Sequence, residues 1–230
     1  MIQWDDYWKS YSVSKAEKWL ILERNKTLNE YLDKIDKPVK KVIEIGCGFG
    51  SNIHLLKKSR ADVECHALDN SQVSVDIVNK KIDKAFMADC RDTNLPDDSY
   101  DLIFSAGLME HFKDEKPLLD EWKRILSPGG FIVTFVPAKY SLWQIYQFFH
   151  FGNWQHGYEK AYSYSQLYNL HKNNGFEVVE IVGNDPFSLN GSIMKVFNVS
   201  FKPIWKKNII KSGYTELCVI VQKKTAKDNS

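Results

Sequence analysis

An apolar strand pattern that runs into three alternate glycines constrains this chain most: Val42-Ile43-Glu44-Ile45-Gly46-Cys47-Gly48-Phe49-Gly50-Ser51-Asn52. Glycine has no β-carbon, so the backbone can turn sharply and approach a ligand closely there. A helical pattern follows. A second apolar segment, Ala67-Leu68-Asp69, then ends on an acid about 20 residues further on. A carboxylate in that place can accept two hydrogen bonds from a ribose diol. The dinucleotide fingerprint G-x-G-x-x-G does not fit, because Ser51 stands where its third glycine belongs. The loop also holds no Lys or Arg, which argues against a triphosphate cradle.

Strand-like and helix-like segments alternate along most of the chain. Residues 1–14 are aromatic-rich and read as irregular. Ser14-Lys15-Ala16-Glu17 has the form of a capping box, so a helix starts there, and Pro38 ends it. Strands are expected at 41–45, 63–68, 85–87, 100–104, 131–136, 176–182 and 216–222. Helices are expected at 51–59, 72–81, 165–173 and around Leu118, Leu119, Trp122, Ile125 and Leu126, with Pro117 in the first turn of that last one. Ser127-Pro128-Gly129-Gly130 reads as a sharp turn. Such alternation implies an α/β protein with a parallel sheet and helices on both faces. Ligands then bind beyond the C-terminal strand ends, where Gly46, Asp69, Asp89 and Ser105 fall.

Composition excludes more than it selects. The 230 residues carry 31 basic and 29 acidic side chains, a formal charge of +2. That balance gives no pull towards nucleic acid, and the short lysine pairs read as solvated surface. The N-terminus lacks the basic-then-apolar signal pattern, and no apolar run reaches the ~18 residues of a membrane helix. The four cysteines, at 47, 65, 90 and 218, form no C-x-x-C pair. They read as reduced, and the protein as cytoplasmic.

The glycine run closely resembles motif I of class I S-adenosylmethionine-dependent methyltransferases, E/D-x-G-x-G-x-G. Ala67-Leu68-Asp69-Asn70-Ser71 resembles the second motif, and Met87-Ala88-Asp89-Cys90 the adenine-binding segment. Glu110-His111-Phe112 and the run from Glu121 to Gly130 resemble the small-molecule branch of that family. The resemblance covers about residues 42–136. It implies a Rossmann-like, seven-stranded, mostly parallel twisted sheet with an antiparallel last strand. It also implies S-adenosylmethionine as cofactor, and in-line transfer of its methyl group to a small, apolar or aromatic acceptor.

The same resemblance assigns residues. Asp69 holds the ribose hydroxyls and Asp89 meets the adenine amine, with Asn70, Cys90 and Ser105 nearby. Gly46, Cys47, Gly48 and Gly50 shape the loop, Glu44 is a candidate for the ammonium group, and Trp8 and Tyr11 supply aromatic cover. His111 is the first candidate for a general base; packing against the following segment is its other reading. No metal is expected. Some quinone-pathway relatives place a metal-binding acid three residues before the Glu of the Glu-His pair, and Gly107 stands there.

One domain is expected over 1–230, with an aromatic, helical lid at 1–38, acceptor-side insertions at 137–162 and 183–214, and a frayed tail at 223–230. The 137–162 connection is rich in aromatics, and Trp143, His156 and Tyr158 are its candidate acceptor-binding residues. It either walls an acceptor pocket or packs against the N-terminal aromatics. Two other functions stay open: a non-catalytic S-adenosylmethionine-binding module, and a nucleic-acid or protein methyltransferase. Ser105-Ala106-Gly107-Leu108 stands where amino-methylating nucleic-acid enzymes carry N/D-P-P-Y, which argues against nucleic acid. The expected partner is thus a small-molecule acceptor, without nucleic acid or stable membrane insertion.

Overall fold

The structure, a computed structural model, describes residues 4–10, 15–139, 158–184 and 216–225. Seven strands form one sheet: β1 Lys41–Ile45, β2 Glu64–Asp69, β3 Lys84–Met87, β4 Tyr100–Ala106, β5 Leu126–Pro137, β6 Phe176–Asn184 and β7 Glu216–Lys223. Their order is β3-β2-β1-β4-β5-β7-β6. The pairs from β3 to β5 are parallel, and β7 runs antiparallel to both β5 and β6. The expected fold class is therefore observed, including the reversed last strand.

The period-two alternation of each strand decides which side chains face which layer. Ile43, Ile45, Ile103 and Ile132 point to one face, where α5 (Lys116–Ile125) and α6 (Tyr164–Asn173) cover them with Leu118, Leu119, Trp122, Ile125 and Leu167. Val42, Leu102, Phe104 and Val133 point to the other. There α2 (Lys15–Leu32), α3 (Ser51–Ser59) and α4 (Gln72–Val78) bring Leu28, Leu32, Ile53, Leu56, Val75 and Val78. Both faces are thus dry, which a parallel sheet requires.

Three expectations are corrected. The N-terminal aromatics are not irregular: Trp4–Ser10 is a helix, α1, with Asp5 and Asp6 in its first turn and Lys9 in its last. Those charges complement the helix dipole, but a helix of two turns is too short for periodicity to reveal. Ser127-Pro128-Gly129-Gly130 is not a turn but the start of β5. Register shifts between Tyr100 and Leu102 there, and Gly129 has φ +71, so the segment is an irregularity within the strand. The helix expected at 72–81 ends at Val78. Ser14 of the expected capping box lies outside the described residues, although α2 does begin at Lys15. A capping box joins Ser163 and Gln166 at the start of α6, and Gly175 follows that helix at φ +80.

Candidate active site

The chain reverses direction of travel across the sheet between β1 and β4, and a crevice opens at such a point. A cleft of about 150 Å³ lies there, lined by Gly46, Asp69, Asn70, Asp89 and Cys90 from the ends of β1, β2 and β3. Gly107, Leu108, His111 and Phe112 close it from the β4 side, and Trp4 and Trp8 of α1 close it from above.

Asp69 organises the loop. It is 6% exposed, and its Oδ2 accepts the Gly48 N–H at 2.8 Å while Oδ1 accepts the Ser71 N–H at 3.0 Å. Burial raises its pKa and the backbone donors oppose that shift. The Asn70 N–H is a third backbone donor, and the two oxygens offer four lone pairs between them, so acceptor capacity remains for a ligand. The Gly46 amide donates to the Leu68 carbonyl at 2.8 Å and closes the loop against β2. Gly48 must be glycine for two reasons. Its φ is +49, and a β-carbon there would come within 2.5 Å of the Trp8 ring.

The helix α1 is fastened over this loop. Trp8 meets Phe49 edge-on at 5.1 Å, and Trp4 meets His111 edge-on at 5.8 Å. Asp5 accepts the Ser71 hydroxyl, which lowers its pKa, and also the Val73 N–H at 3.4 Å. An acid thus sits at the amino end of α4, where the dipole favours it.

Several sequence candidates lie elsewhere, and these are corrections. Glu44 does not line the cleft. It is 1% exposed and holds the start of α3, accepting Asn52 Nδ2–H at 3.0 Å and the Ile53 N–H at 3.1 Å. Burial pushes its carboxyl up to about 7. Ser105 is fully buried and donates to the Ile45 carbonyl at 3.0 Å, tying β4 to β1. Cys47 is buried behind the loop, its thiol pushed up by burial. Gly50 faces Val78 of α4 rather than the cleft. Each of these shapes the loop from behind. Tyr11, Trp143 and His156 lie outside the described residues.

Asp89 and Cys90 do line the cleft. Asp89 accepts Arg91 Nε–H at 2.9 Å and Nη2–H at 2.6 Å, and this pairing lowers its pKa. Burial pushes the Cys90 thiol up to about 12, so it is a neutral, small wall residue. Residues missed in the sequence are Trp4, Arg91, Phe112 and Leu108. Trp4 could have been found as the partner of Trp8 one helical turn away.

His111 is in a 3-10 turn, Met109–His111, just past β4. Its Nδ1 lies 2.9 Å from the Tyr158 carbonyl. A carbonyl only accepts, so Nδ1 carries a proton, and in the neutral ring Nε2 keeps the lone pair. Glu110 beside it is 3% exposed and its Oε2 has no hydrogen-bond partner among the described residues. Burial pushes this carboxyl up to about 8. The expected absence of a metal aside, Glu110, His111 and Glu159 bring ligand atoms within 4.8 Å of one another. Tyr158 is exposed and contributes its backbone carbonyl here.

Residues 43–134, which contain every strand end of this cleft, match the family model described as a methyltransferase domain. Over these residues the chain carries a methyltransferase domain. Phosphoethanolamine N-methyltransferase 3 of Arabidopsis thaliana is 29% identical over 114 residues, 45% of this chain and 22% of that protein. The chloroplastic tocopherol O-methyltransferase of the same plant is 31% identical over 106 residues, 43% of this chain and 30% of that protein. The methyltransferase domain therefore spans less than a third of the length of these curated relatives. Its fold is shared with a solved S-adenosylmethionine-dependent methyltransferase from Archaeoglobus fulgidus. That likeness has a TM-score of 0.62 at 21% identity, over 86% of this chain and 92% of that one. Among the described residues no helix is long and apolar enough to cross a membrane.

Proposed function

We propose that the protein transfers a methyl group from S-adenosylmethionine to a small-molecule acceptor. The observation that carries this reading is Asp69, which holds the amide of the middle glycine and lines the same cleft as Gly46, Asn70 and Asp89. The cleft fits the cofactor's chemistry. A carboxylate with acceptor capacity left at a strand end suits a ribose diol, and the loop carries no Lys or Arg for phosphate. The indole faces of Trp4 and Trp8 suit a sulfonium cation and shield it from water.

S-adenosylmethionine supplies an electrophilic methyl whose departure leaves a neutral sulfide. This chain's residues then have mainly to bind and align, and alignment alone can supply most of the acceleration. Asp69 fixes the ribose end, and Asp89, released from or shared with Arg91, meets the adenine amine. The rings of α1 cover the centre. His111 faces the acceptor, and its Nε2 lone pair accepts the hydrogen bond, and then the proton, of an acceptor hydroxyl. Phosphoethanolamine and tocopherol, named in the two curated relatives, are small molecules, which supports that acceptor class. The aromatic connection 137–162, with Tyr158 at its described end, supports an apolar or aromatic acceptor within it.

Calorimetry with S-adenosylhomocysteine and with NAD tests the cofactor half of the proposal. Binding of the first and not the second is expected. Tight NAD binding without a response to S-adenosylhomocysteine would sink it. A methylation screen of aromatic and lipophilic small molecules then tests the acceptor, and turnover with any of them excludes a non-catalytic module.

A further inference from the structure

We propose that Glu110, His111 and Glu159 bind one divalent cation of the manganese–magnesium type on the acceptor side of the cleft. Their ligand atoms lie within 4.8 Å of one another, close enough to share an ion. Glu110 and His111 are neighbours in the turn after β4, but Glu159 comes from a distant part of the chain.

Two hydrogen bonds hold Glu159 in place. On one side the Tyr158 carbonyl accepts His111 Nδ1–H at 2.9 Å. On the other the Lys160 N–H donates to the Glu110 carbonyl at 3.1 Å. Both residues that flank Glu159 in the chain are thus tied to its two fellow ligands. Such a clamp sets three donors in place before any ion arrives, which is what a binding site requires.

The buried carboxylate is the independent sign. Glu110 is 3% exposed, and its Oε2 has no partner among the described residues. A buried polar oxygen left unpaired is costly, and a second carboxylate beside it adds repulsion. Two cations near Glu110 are engaged with other acids. Arg24 donates Nε–H to Glu216 at 3.1 Å, and Lys160 Nζ lies 2.6 Å from Glu115. A divalent ion among the three side chains would remove both costs.

Access comes through Gly107. This residue lines the cleft, and among the described residues a β-carbon there would have only Glu110 Oε1 within 4 Å, at 3.7 Å. His111 lines the cleft as well. Two carboxylates with one imidazole suit manganese or magnesium, the nitrogen favouring manganese. Three protein ligands leave about three positions of an octahedral ion for water and an acceptor's oxygens. The inference deepens the proposed function: it rests on that reading's placing His111 at the acceptor, and it gives the Nε2 lone pair to the ion in place of the acceptor's proton. The acceptor class it selects is one that chelates a metal through oxygen. A hydroxyl bound to the ion loses its proton to solvent water more readily. Its oxygen lone pair then forms the new O–CH₃ bond while the C–S bond breaks and its electron pair stays on sulfur.

The test is a manganese(II) titration of the full chain, stripped with a chelator and followed by the paramagnetic resonance of free manganese. One manganese per chain is expected, displaced by excess magnesium. Glu159→Gln and Glu110→Gln should each weaken binding by about tenfold or more. Glu159 is half-buried, so its variant decides if Glu110→Gln fails to fold. S-adenosylhomocysteine calorimetry on the same samples should show Glu159→Gln unchanged. No manganese binding up to about 1 mM, or wild-type affinity in Glu159→Gln, overturns the site. S-adenosylhomocysteine binding without manganese binding overturns the cation and leaves the methyltransferase reading intact. Manganese binding lost in Glu159→Gln, with no S-adenosylhomocysteine binding, supports the ion site and overturns the proposed function instead.

Discussion

The indole of Trp8 lies so close over Gly48 that a β-carbon on that glycine would come within 2.5 Å of its ring. The N-terminal helix and the glycine loop are therefore one packed unit. Gly48→Ala should destabilise the protein by about 1–3 kcal/mol, from the left-handed backbone at φ +49 and from the clash. In a Trp8→Ala background the clash disappears and only the backbone share remains. Urea unfolding of both single variants and the double variant measures this. Simple additivity of the two costs would show that Trp8 does not rest on the loop.

Asp69→Asn keeps the shape but replaces one acceptor oxygen with a donor. It should cost roughly 1.5–3 kcal/mol of S-adenosylhomocysteine binding, because the hydrogen bonds lost go to a charged group. The Gly48 and Ser71 amides also lose part of their acceptor, so unfolding should be measured alongside. If the binding loss disappears once the loss of stability is allowed for, Asp69 serves the loop alone.

His111→Ala should lower turnover by about 100-fold while S-adenosylhomocysteine affinity stays near normal. The reason is position: His111 lines the cleft from the β4 side, two strands away from Asp69. Full turnover in the variant would return His111 to a packing role against Trp4.

Glu44 should make stability depend on pH. Burial is the main cause of its rise to about 7; Asn52, Ile53 and Arg24 oppose it, and the Asp69 carboxylate adds to it. In the unfolded chain the group has an ordinary glutamate value, near 4.3. Between these values the folded protein holds a proton that the unfolded chain has lost. Stability from this group is thus complete below the lower value and is lost as pH rises towards 7, by at most about 1.4 kcal/mol per pH unit. Glu44→Gln cannot titrate, so the gap between wild type and variant should change across pH 4.5–7.5 in urea unfolding. A constant gap would mean that Glu44 stays ionised throughout.

How legible the site was depended on how local each interaction is. Gly46, Asp69 and Asp89 follow strand ends, so their positions in the chain already implied a common crevice. Glu44 and Ser105 also fall at or near strand ends, yet they serve the fold. Glu44 reaches Asn52 and Ile53, and Ser105 reaches the Ile45 carbonyl, contacts that exist only once β1, β4 and α3 are packed. The helix at Trp4–Ser10 was missed because two turns hold too little periodicity, and its stability comes from Trp8 on Phe49 and Asp5 on Ser71.

Alone, the sequence determined the strand–helix alternation, the two-sided apolar strands and the glycine–acid pair, because each is a pattern among near neighbours. The tertiary structure alone decided which side of each residue faces the cleft. It also decided that Glu159 joins Glu110 and His111, through hydrogen bonds made by the residues on either side of it. The physical reason is that periodicity fixes the face of an element, whereas a side chain's partner across distant sequence is set by packing and by which buried polar atoms must be paired.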